Sequence, residues 1–132
     1  GSEANAIEGN KRPLSSMTPT IIFKEEKPYL VFGTPGGSRI ITTVLQVALN
    51  VMTHDMNVAQ AVNSPRIHHQ WLPEVLMIEE GFGADTKALL KDKGYRLYPS
   101  RTMGSVQAIL MKDGYFYGAA DPRRPSAGAV SP

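Results

Sequence analysis

A glycine-rich turn between a predicted strand and a predicted helix is the feature of this sequence that most restricts its fold. Gly33-Thr34-Pro35-Gly36-Gly37-Ser38 follows the apolar run at residues 29–32, and neither a strand nor a helix interior tolerates such a sequence. The next segment has apolar residues at helical spacing on one face: Ile41, Val44, Leu45, Ala48 and Met52. Ser38 is the predicted N-cap, because its hydroxyl can accept a hydrogen bond from the first turn. The pattern predicts a strand, a sharp turn and a helix in succession.

The remaining pattern predicts hairpins and short helices within one domain. Residues 18–24 and 29–32 form a predicted β-hairpin, and Lys112-Asp113-Gly114 is the predicted turn of a second one. We also expect a short helix between Asn57 and Ser64-Pro65, strands over 75–78 and 95–98, and a helix over 86–93 with Leu89 and Leu90 inward and Gly94 as its cap. Residues 1–13 are predicted to be an arm and 121–132 a coil tail. Together these elements favour an α+β layered domain with a largely antiparallel sheet.

Composition excludes several classes of function. The chain has 132 residues, of which 42% are apolar and 20% charged, as in one globular domain. Its net charge is only +2 and no basic run occurs, so neither a nucleic-acid interface nor a membrane-binding helix is predicted. No apolar stretch is long enough to span a bilayer, and the first residues lack the pattern of a signal peptide. The absence of cysteine excludes disulfides, thiolate metal sites and cysteine nucleophiles.

The turn at Gly36 and Gly37 is a candidate anion site. The first N–H groups of a helix have no partner within the helix, and the helix dipole adds partial positive charge there. Two glycines allow a sharp turn and a close approach by a ligand, which would be a phosphate, a carboxylate or a developing oxyanion. The turn lacks the Gly-Lys-Ser/Thr of a P-loop and the spacing of a dinucleotide site. A strand-to-helix turn without a ligand fits the same residues, and the pattern leaves both interpretations open.

Ser15 and Ser16 precede the first predicted strand. Adjacent serines supply small hydroxyl donors and backbone N–H groups that can bind a carboxylate. Serine is also common in plain turns, where its hydroxyl bonds to nearby backbone, and this is the favoured interpretation of the pair alone.

Two later polar groups are ambiguous. His68 and His69 point to opposite faces of an extended segment, so they make a poor metal site, and we favour a packed or hydrogen-bonded role beside Trp71. Asp121-Pro122-Arg123 either orients a loop through a carboxylate–guanidinium pair or forms a solvated turn. The sequence does not separate these two interpretations.

Four segments, taken together and in this order, resemble the gamma-glutamyltransferase family. They are residues 10–20 with Ser15-Ser16, residues 33–41 with Gly36-Gly37, residues 63–73 with Ser64-Pro65-Arg66, and residues 118–123 with Asp121-Pro122-Arg123. The resemblance runs from about residue 3 to residue 124 and places the chain in the C-terminal part of that family's small subunit. It implies the N-terminal-nucleophile hydrolase fold, a four-layer αββα sandwich of which this chain is a part.

The resemblance also implies a reaction. In that family the precursor cleaves itself, and the new N-terminal threonine attacks the γ-glutamyl carbonyl of glutathione with its own α-amine as the base. The N–H groups of Gly36 and Gly37 would then stabilise the oxyanion, and Ser15 and Ser16 would bind the α-carboxylate of the glutamyl group. Water, or the amine of an amino acid or peptide, resolves the acyl-enzyme. No metal or organic cofactor is implied, and the resemblance indicates a periplasmic or extracellular location.

The nucleophile of that family is missing from this sequence. Thr18, Thr20, Thr34, Thr42 and Thr43 belong to the motifs and helix already described, and none is N-terminal. We therefore expect the chain alone to be inactive and its partners to be the large subunit and the upstream part of the small subunit. Residues 106–111 carry apolar side chains on both alternating faces, which predicts cover on both sides and association of the fragment, with those partners or with itself. Two alternatives are an inactive structural module and an unrelated phosphate-binding domain.

Overall fold

Two hairpins pair with each other to form a four-stranded antiparallel sheet. The structure, a computed structural model, describes residues 3–12 and 17–130. In chain order the elements are β1 (Thr20–Lys24), β2 (Lys27–Gly33), α1 (Ile40–Met52), α2 (Val58–Asn63), β3 (Ile67–His68), β4 (Leu76–Ile78), α3 (Ala84–Asp92), β5 (Leu97–Pro99), β6 (Gln107–Lys112) and β7 (Tyr115–Ala120), with 3-10 turns at Glu3–Asn5 and Gly37–Arg39. The sheet has the order β1-β2-β6-β7, and a smaller sheet has the order β3-β4-β5. Only β4 and β5 pair in parallel, which confirms the largely antiparallel α+β prediction.

The inner face of the four-stranded sheet carries the core. Helices α1 and α2 cover this face, and the buried cluster that they form with it consists of Leu30, Phe32, Val47, Val51, Val58, Ala61, Val62, Val106, Ala108, Leu110 and Ala119. Every second residue of the strands points to this face and packs against helix residues that recur about every 3.6 positions, as expected for a layered domain.

The outer face of the same sheet is apolar but exposed. The register aligns Ile21, Val31, Ile109 and Gly118 in one row across the four strands, opposite to the core. Ile109 is 46% exposed, whereas its neighbour Leu110 on the inner face is only 7% exposed. Residues 128–130 of the tail lie along this row, and Ala129 comes so close to Gly118 that a Cβ there would be 3.2 Å from it. The prediction that residues 106–111 carry apolar side chains on two faces is confirmed, and among the described residues the outer face lacks full cover.

Local sequence signals fixed several boundaries. Asp113 and Gly114 both have positive φ, 52° and 80°, as the predicted Asp-Gly hairpin turn requires. Asn57 caps α2 through a reciprocal pair of hydrogen bonds with Gln60. Gly94 has φ of 91° and ends α3, with the N–H groups of residues 94 and 95 bonded to the last turn.

The predicted apolar face of α1 is wrong, because the structure buries a neighbouring face. Ile41 is 72% exposed, and Leu45 and Met52 are also exposed, while the buried residues are Ile40, Thr43, Val47 and Val51. The helix is apolar around most of its circumference, so that periodicity alone could not choose the face. Residues 44 and 48, at the border between the two faces, are partly buried against the core.

Three smaller predictions need correction. Ser38 is not the N-cap: it lies inside the 3-10 turn, and its Oγ donates to Gln70 Oε1 at 2.8 Å. Leu89 is exposed, so that only Leu90 of the predicted pair is partly buried. The strand expected over 95–98 is Leu97–Pro99. No helix of the described residues has the length and apolarity needed to cross a membrane.

Candidate active site

The glycine turn connects β2 to α1 and directs its N–H groups away from the helix. Gly36 has φ of 154° and Gly37 has φ of 59°, a left-handed conformation that favours glycine. The Gly36 carbonyl accepts the Arg39 N–H at 3.2 Å, and the Gly37 carbonyl accepts the Ile40 N–H. Because the carbonyl and N–H of a trans peptide point in opposite directions, the N–H that shares a peptide with the Gly36 carbonyl points outward. This N–H belongs to Gly37.

The space beside the turn is open and positively charged. A Cβ placed on Gly37 would meet no atom within 4 Å. A cavity of about 240 Å³ lies next to Gly36 and is lined by Arg39, Thr102, Gly104 and Arg124, among others. A larger cavity, of about 770 Å³, lies at the other end of β2 and does not include the turn. The glycine turn therefore adjoins the smaller cavity.

Residues 103–106, which we call the strap, cross behind the turn. A Cβ on Gly36 would lie 3.7 Å from Gly104 Cα, so the two glycines pack backbone to backbone. The Ser105 N–H donates to Thr34 Oγ1 at 2.7 Å, and the same hydroxyl donates to the Pro35 carbonyl at 2.8 Å. Thr34 and Ser105 are both buried. The strap thus contacts the turn through one hydroxyl and one close glycine approach.

Four charged residues form an ionic cluster that is bonded to the strap: Arg66, Glu79, Asp121 and Arg123, of which Arg123 also lines the cavity beside the turn. Arg66 Nη2 lies 2.8 Å from Asp121 Oδ2, and Arg123 bridges the two carboxylates, 3.1 Å from Asp121 Oδ1 and 2.6 Å from Glu79 Oε2. Arg66 is 1% exposed and Asp121 is fully buried. Two guanidinium groups and two carboxylates balance in charge, which is what burial of ionised groups requires.

The cluster alters the ionisation of its members. Burial alone would raise the pKa of the Asp121 carboxyl. Hydrogen bonds from the N–H groups of Val106 and Arg123, together with the charge of Arg66, outweigh it and hold that pKa below its ordinary value. For Arg123, burial opposes the charged form, but hydrogen bonds to Glu79 and Asp121 raise the pKa of the guanidinium. Burial and the nearby Arg123 charge lower the pKa of Arg66, against the attraction of Asp121.

The cluster anchors the strap at both ends. The Met103 N–H donates to Glu79 Oε1 at 2.6 Å, and the Met103 carbonyl accepts from Arg66 Nη1 at 2.5 Å. At the other end the Val106 N–H donates to Asp121 Oδ2 at 2.9 Å. Backbone groups bonded to fixed charges form the stronger class of hydrogen bonds, so the strap is held firmly against the turn.

The cluster also binds the end of α2. The carbonyl of Val62 accepts from Arg66 Nη2 at 2.6 Å and from Arg123 Nη1 at 3.1 Å, and the Ser64 carbonyl accepts from Arg123 Nη2 at 2.9 Å. The last carbonyls of a helix have no partner within it, and cations are favoured there. Two arginines therefore stabilise a helix terminus and neutralise two carboxylates at once.

A second polar network joins the start of α1 to the segment after β3. His68 is buried, with Nδ1 2.7 Å from Thr42 Oγ1 and Nε2 2.9 Å from Gln70 Oε1. Gln70 Oε1 also accepts from Ser38. The predicted hydrogen-bonded role of His68 is confirmed. Trp71 is exposed, and its backbone N–H donates to His69 Nδ1 at 3.2 Å, so the predicted role beside Trp71 is a hydrogen bond and not packing.

His69 points outward, as alternation predicts, and its ring meets the edge of Tyr95 with 6.3 Å between centroids. Among the described residues no group of three or more histidine and acidic side chains is arranged to hold a metal ion.

The structure brings together three of the four segments that the resemblance uses. Gly36 and Gly37 adjoin the strap and the cavity, and the carboxylate–guanidinium interpretation of Asp121 and Arg123 is confirmed. Ser15 and Ser16 lie outside the described residues. The sequence did not predict a role for Glu79 or the burial of Arg66. The contact between Arg66 and Glu79 could be predicted only from the pairing of β3 with β4. Arg66 lies just before β3 and Glu79 just after β4, so this antiparallel pairing brings them together.

The sequence is similar to known proteins over nearly its whole length. Residues 1–131 match the sequence model of the family described as gamma-glutamyltranspeptidase. The glutathione hydrolase proenzyme of Escherichia coli (strain K12) is 56% identical over 124 residues, covering 93% of this chain and 21% of that protein. The protein of the same name from Bacillus subtilis (strain 168) is 41% identical over 127 residues, covering 94% of this chain and 22% of its own length. The chain therefore spans little more than a fifth of these relatives.

Solved structures agree with the sequence comparison. The crystal structure of the Helicobacter pylori gamma-glutamyltranspeptidase T380A mutant has a TM-score of 0.84 and 54% identity, covering 94% of this chain and 69% of that one. The Bacillus anthracis transpeptidase CapD has a TM-score of 0.79 at 23% identity, covering 96% of this chain and 77% of its own, which shows a common fold alone. The shared architecture is the N-terminal-nucleophile hydrolase fold, and this chain holds part of it. The sequence comparison and the structure comparison lead to the same family, and the chain belongs to the gamma-glutamyltranspeptidase family.

Proposed function

We propose that this chain is part of an enzyme that cleaves the γ-glutamyl bond of glutathione and related compounds and transfers the glutamyl group to water or to the amine of an amino acid or peptide. The observation that carries the proposal is the glycine turn. Both of its carbonyls are engaged by the first turn of the helix, and the Gly37 N–H faces open space beside a cavity that Arg39 and Arg124 line. Such a turn suits an oxyanion that forms during acyl transfer.

In the proposed reaction a threonine from the upstream part of the polypeptide attacks the γ-glutamyl carbonyl carbon. The carbonyl oxygen becomes negative, and the N–H groups of Gly36 and Gly37 donate to it. Ser15 and Ser16 bind the α-carboxylate of the glutamyl group. The bond between the γ-carbonyl carbon and the amide nitrogen breaks, and the amine leaves with the proton that the threonine hydroxyl lost. Water or an acceptor amine then attacks the acyl carbon, and the threonine oxygen takes up a proton as the glutamyl group is released. The chain supplies the oxyanion donors and the carboxylate site, and the remaining catalytic groups come from outside it.

The donor role is tested by removing one N–H without changing the backbone conformation. Proline is unsuitable at position 37, because its φ is fixed near −65° and Gly37 has φ of 59°. Glycolate in place of Gly37 substitutes an ester oxygen for the N–H and keeps the freedom of glycine. In the full-length protein we expect the kcat for a γ-glutamyl anilide to fall about a hundredfold or more. Glycolate at Gly114, in an exposed hairpin turn, is the matched control. An unchanged kcat for the Gly37 substitution would reject the oxyanion role.

The serine role has a separate test. Replacing Ser15 and Ser16 together with alanine in the full-length protein should raise the KM for γ-glutamyl substrates, because two carboxylate donors are lost. The same variant should retain the thermal unfolding midpoint of the original protein. Unchanged kinetics in this double variant would contradict the carboxylate role.

We also propose that the outer face of the four-stranded sheet is covered by residues outside this chain. The row Ile21, Val31 and Ile109 is apolar and aligned, and the chain spans only 21% of the Escherichia coli relative, so that a large partner segment is available. The chain produced alone is expected to associate with copies of itself and to turn over no γ-glutamyl anilide. Light scattering checks the first point and an activity assay the second. A stable monomer that binds no hydrophobic dye would exclude the first.

A further inference from the structure

We propose that Thr34 is a positioning residue for the reaction: its hydroxyl, held by the strap, sets the direction of the Gly36 N–H. The inference rests on the proposed function, since it concerns how an oxyanion donor is aimed. The proposal gives a role in the reaction to a residue outside the glycine pair. It also gives a role to the strap and the ionic cluster, which together orient the Thr34 hydroxyl.

The first step concerns one peptide plane. The Pro35 carbonyl and the Gly36 N–H belong to the same peptide, which is trans, because the cis peptide among the described residues is Leu72-Pro73. In a planar trans peptide these two groups point in opposite directions. Thr34 Oγ1 donates to the Pro35 carbonyl at 2.8 Å and keeps it turned toward the protein interior. The Gly36 N–H must then point the other way, toward the open side of the turn.

The second step concerns why this peptide needs to be held. Gly36 has no Cβ that would resist rotation about its backbone, and its φ of 154° is one that other residues rarely adopt. Rotation of the Pro35–Gly36 peptide would replace the N–H donor by a carbonyl oxygen, which repels an oxyanion. The next peptide is already fixed, because the Gly36 carbonyl accepts the Arg39 N–H. The Thr34 hydroxyl provides the corresponding constraint for the first peptide.

The third step concerns the direction of the hydroxyl proton. A threonine hydroxyl has one proton to donate and lone pairs to accept with. The Ser105 N–H donates to Thr34 Oγ1 at 2.7 Å and occupies the accepting side, which leaves the proton for the Pro35 carbonyl. Ser105 is fixed in turn, since its neighbours Met103 and Val106 are bonded to Glu79 and Asp121. The ionic cluster thus orients the donor through the strap.

The fourth step concerns the fit between the strap and the hydroxyl. Gly104 has φ of 74°, and a Cβ there would lie 2.6 Å from Thr34 Oγ1 and 3.1 Å from Thr43 Cγ2. Only glycine leaves room for the hydroxyl at this point. The Thr34 side chain is therefore buried between the strap and its own turn.

The experiment compares Thr34→Val with Thr34→Ser in the full-length protein. Valine keeps the shape and removes both hydrogen bonds, whereas serine keeps the hydroxyl. We expect Thr34→Val to lower the kcat for a γ-glutamyl anilide about tenfold, less than the loss of a donor outright. Its KM should change by less than about twofold, because the glutamyl group is bound elsewhere. Thr34→Ser should retain kcat within about twofold.

The matched control is Thr43→Val. Thr43 is equally buried and also adjoins Gly104, but among the described residues its hydroxyl has no hydrogen-bond partner. We expect this variant to keep its kcat. If purified Thr34→Val has the original kcat and only a lower unfolding midpoint, the residue is structural and the inference is wrong. Should Thr34→Val fail to fold, Thr34→Ser and Thr34→Ala, which differ only in the hydroxyl, provide the same comparison, and equal kcat values contradict the proposal.

The outcome also separates the inference from the proposed function. If glycolate at Gly37 leaves kcat unchanged, the oxyanion role itself is rejected, whatever Thr34→Val does. If glycolate abolishes turnover while Thr34→Val and Thr34→Ser behave alike, the oxyanion role stands and the positioning role of Thr34 is rejected.

Discussion

The ionic cluster and the outer face of the four-stranded sheet place their side chains in opposite environments. In the cluster, charged groups such as Arg66 and Asp121 are buried, and every carboxylate has an arginine partner within this chain. On the outer face, apolar side chains such as Ile21 and Ile109 are exposed. The usual distribution puts charge outside and apolar groups inside, so both regions depart from it.

The difference lies in where the compensating groups come from. The opposite charges of the cluster pair within residues 62–123, although Arg66 Nε has no hydrogen-bond partner among the described residues, and the cluster fixes the strap that contacts the glycine turn. On the outer face, within the part of the chain that the structure describes, the tail residues 128–130 lie along part of the row. The charges of one region are therefore compensated by residues of this chain, while the other region is expected to need residues beyond it. The predictions below test this contrast in order of decreasing effect.

The largest effect is expected from Asp121→Asn. This change removes one charge of a fully buried group and leaves Arg66 without its carboxylate partner. Breaking a buried ion pair on one side costs about 3–5 kcal/mol, a large part of the stability of a domain. Urea denaturation of the variant measures this loss. Asp113→Asn, at an exposed turn with φ of 52°, is the control and should change the free energy of unfolding by less than about 0.5 kcal/mol. Equal effects at the two positions would mean that the cluster does not stabilise the fold.

An adjacent pair on β6 tests the two faces of the sheet. Leu110→Ala removes a buried core side chain and should lower the free energy of unfolding by about 2–5 kcal/mol. Ile109→Ala, on the outer face, should cost less than about 1 kcal/mol in this chain alone. In the full-length protein we expect the cost of Ile109→Ala to rise toward that of Leu110→Ala, because the face is then covered. A cost that stays small in both proteins would contradict the proposed covering of that face.

Local signals explain what the sequence predicted correctly. Asp113-Gly114, Asn57 and Gly94 act within a few residues of themselves, and the structure uses each as a turn or cap. The two-sided strand was also predictable, since the alternation of residues 106–111 is visible without any tertiary contact. These features need only the chain's own backbone preferences.

Long-range pairing explains what the sequence could not provide. Arg66 and Glu79 are 13 residues apart and meet only because β3 and β4 pair. Ser38 has a usable hydroxyl for a cap, but it donates instead to Gln70, which lies 32 residues further along the chain. The buried face of α1 depends on the sheet against which the helix packs. Because α1 is apolar on two faces, its sequence does not show which of them is buried.

The smallest expected effect is a loss of stability in acid, caused by protonation of the Asp121 carboxyl in the ionic cluster. The Asp121 carboxyl has a pKa below its ordinary value of 3.8 in the folded protein: burial works against this shift, and the hydrogen bonds and Arg66 outweigh it. Between the folded and unfolded pKa values, the unfolded chain binds more protons than the folded one. The contribution of Asp121 to stability is therefore complete above about pH 5 and is lost as the pH falls through 3.8 toward the folded value. For a single carboxyl the slope is at most about 1.4 kcal/mol per pH unit. Arg66 and Arg123 remain charged throughout this range.

Urea denaturation between pH 6 and pH 2.5, roughly the span of carboxyl titration, measures the slope, and the ¹³C shift of the Asp121 carboxyl reports its own midpoint. A midpoint above 3.8 would mean that desolvation outweighs the guanidinium groups, and the cluster would then resemble the outer face in lacking full compensation.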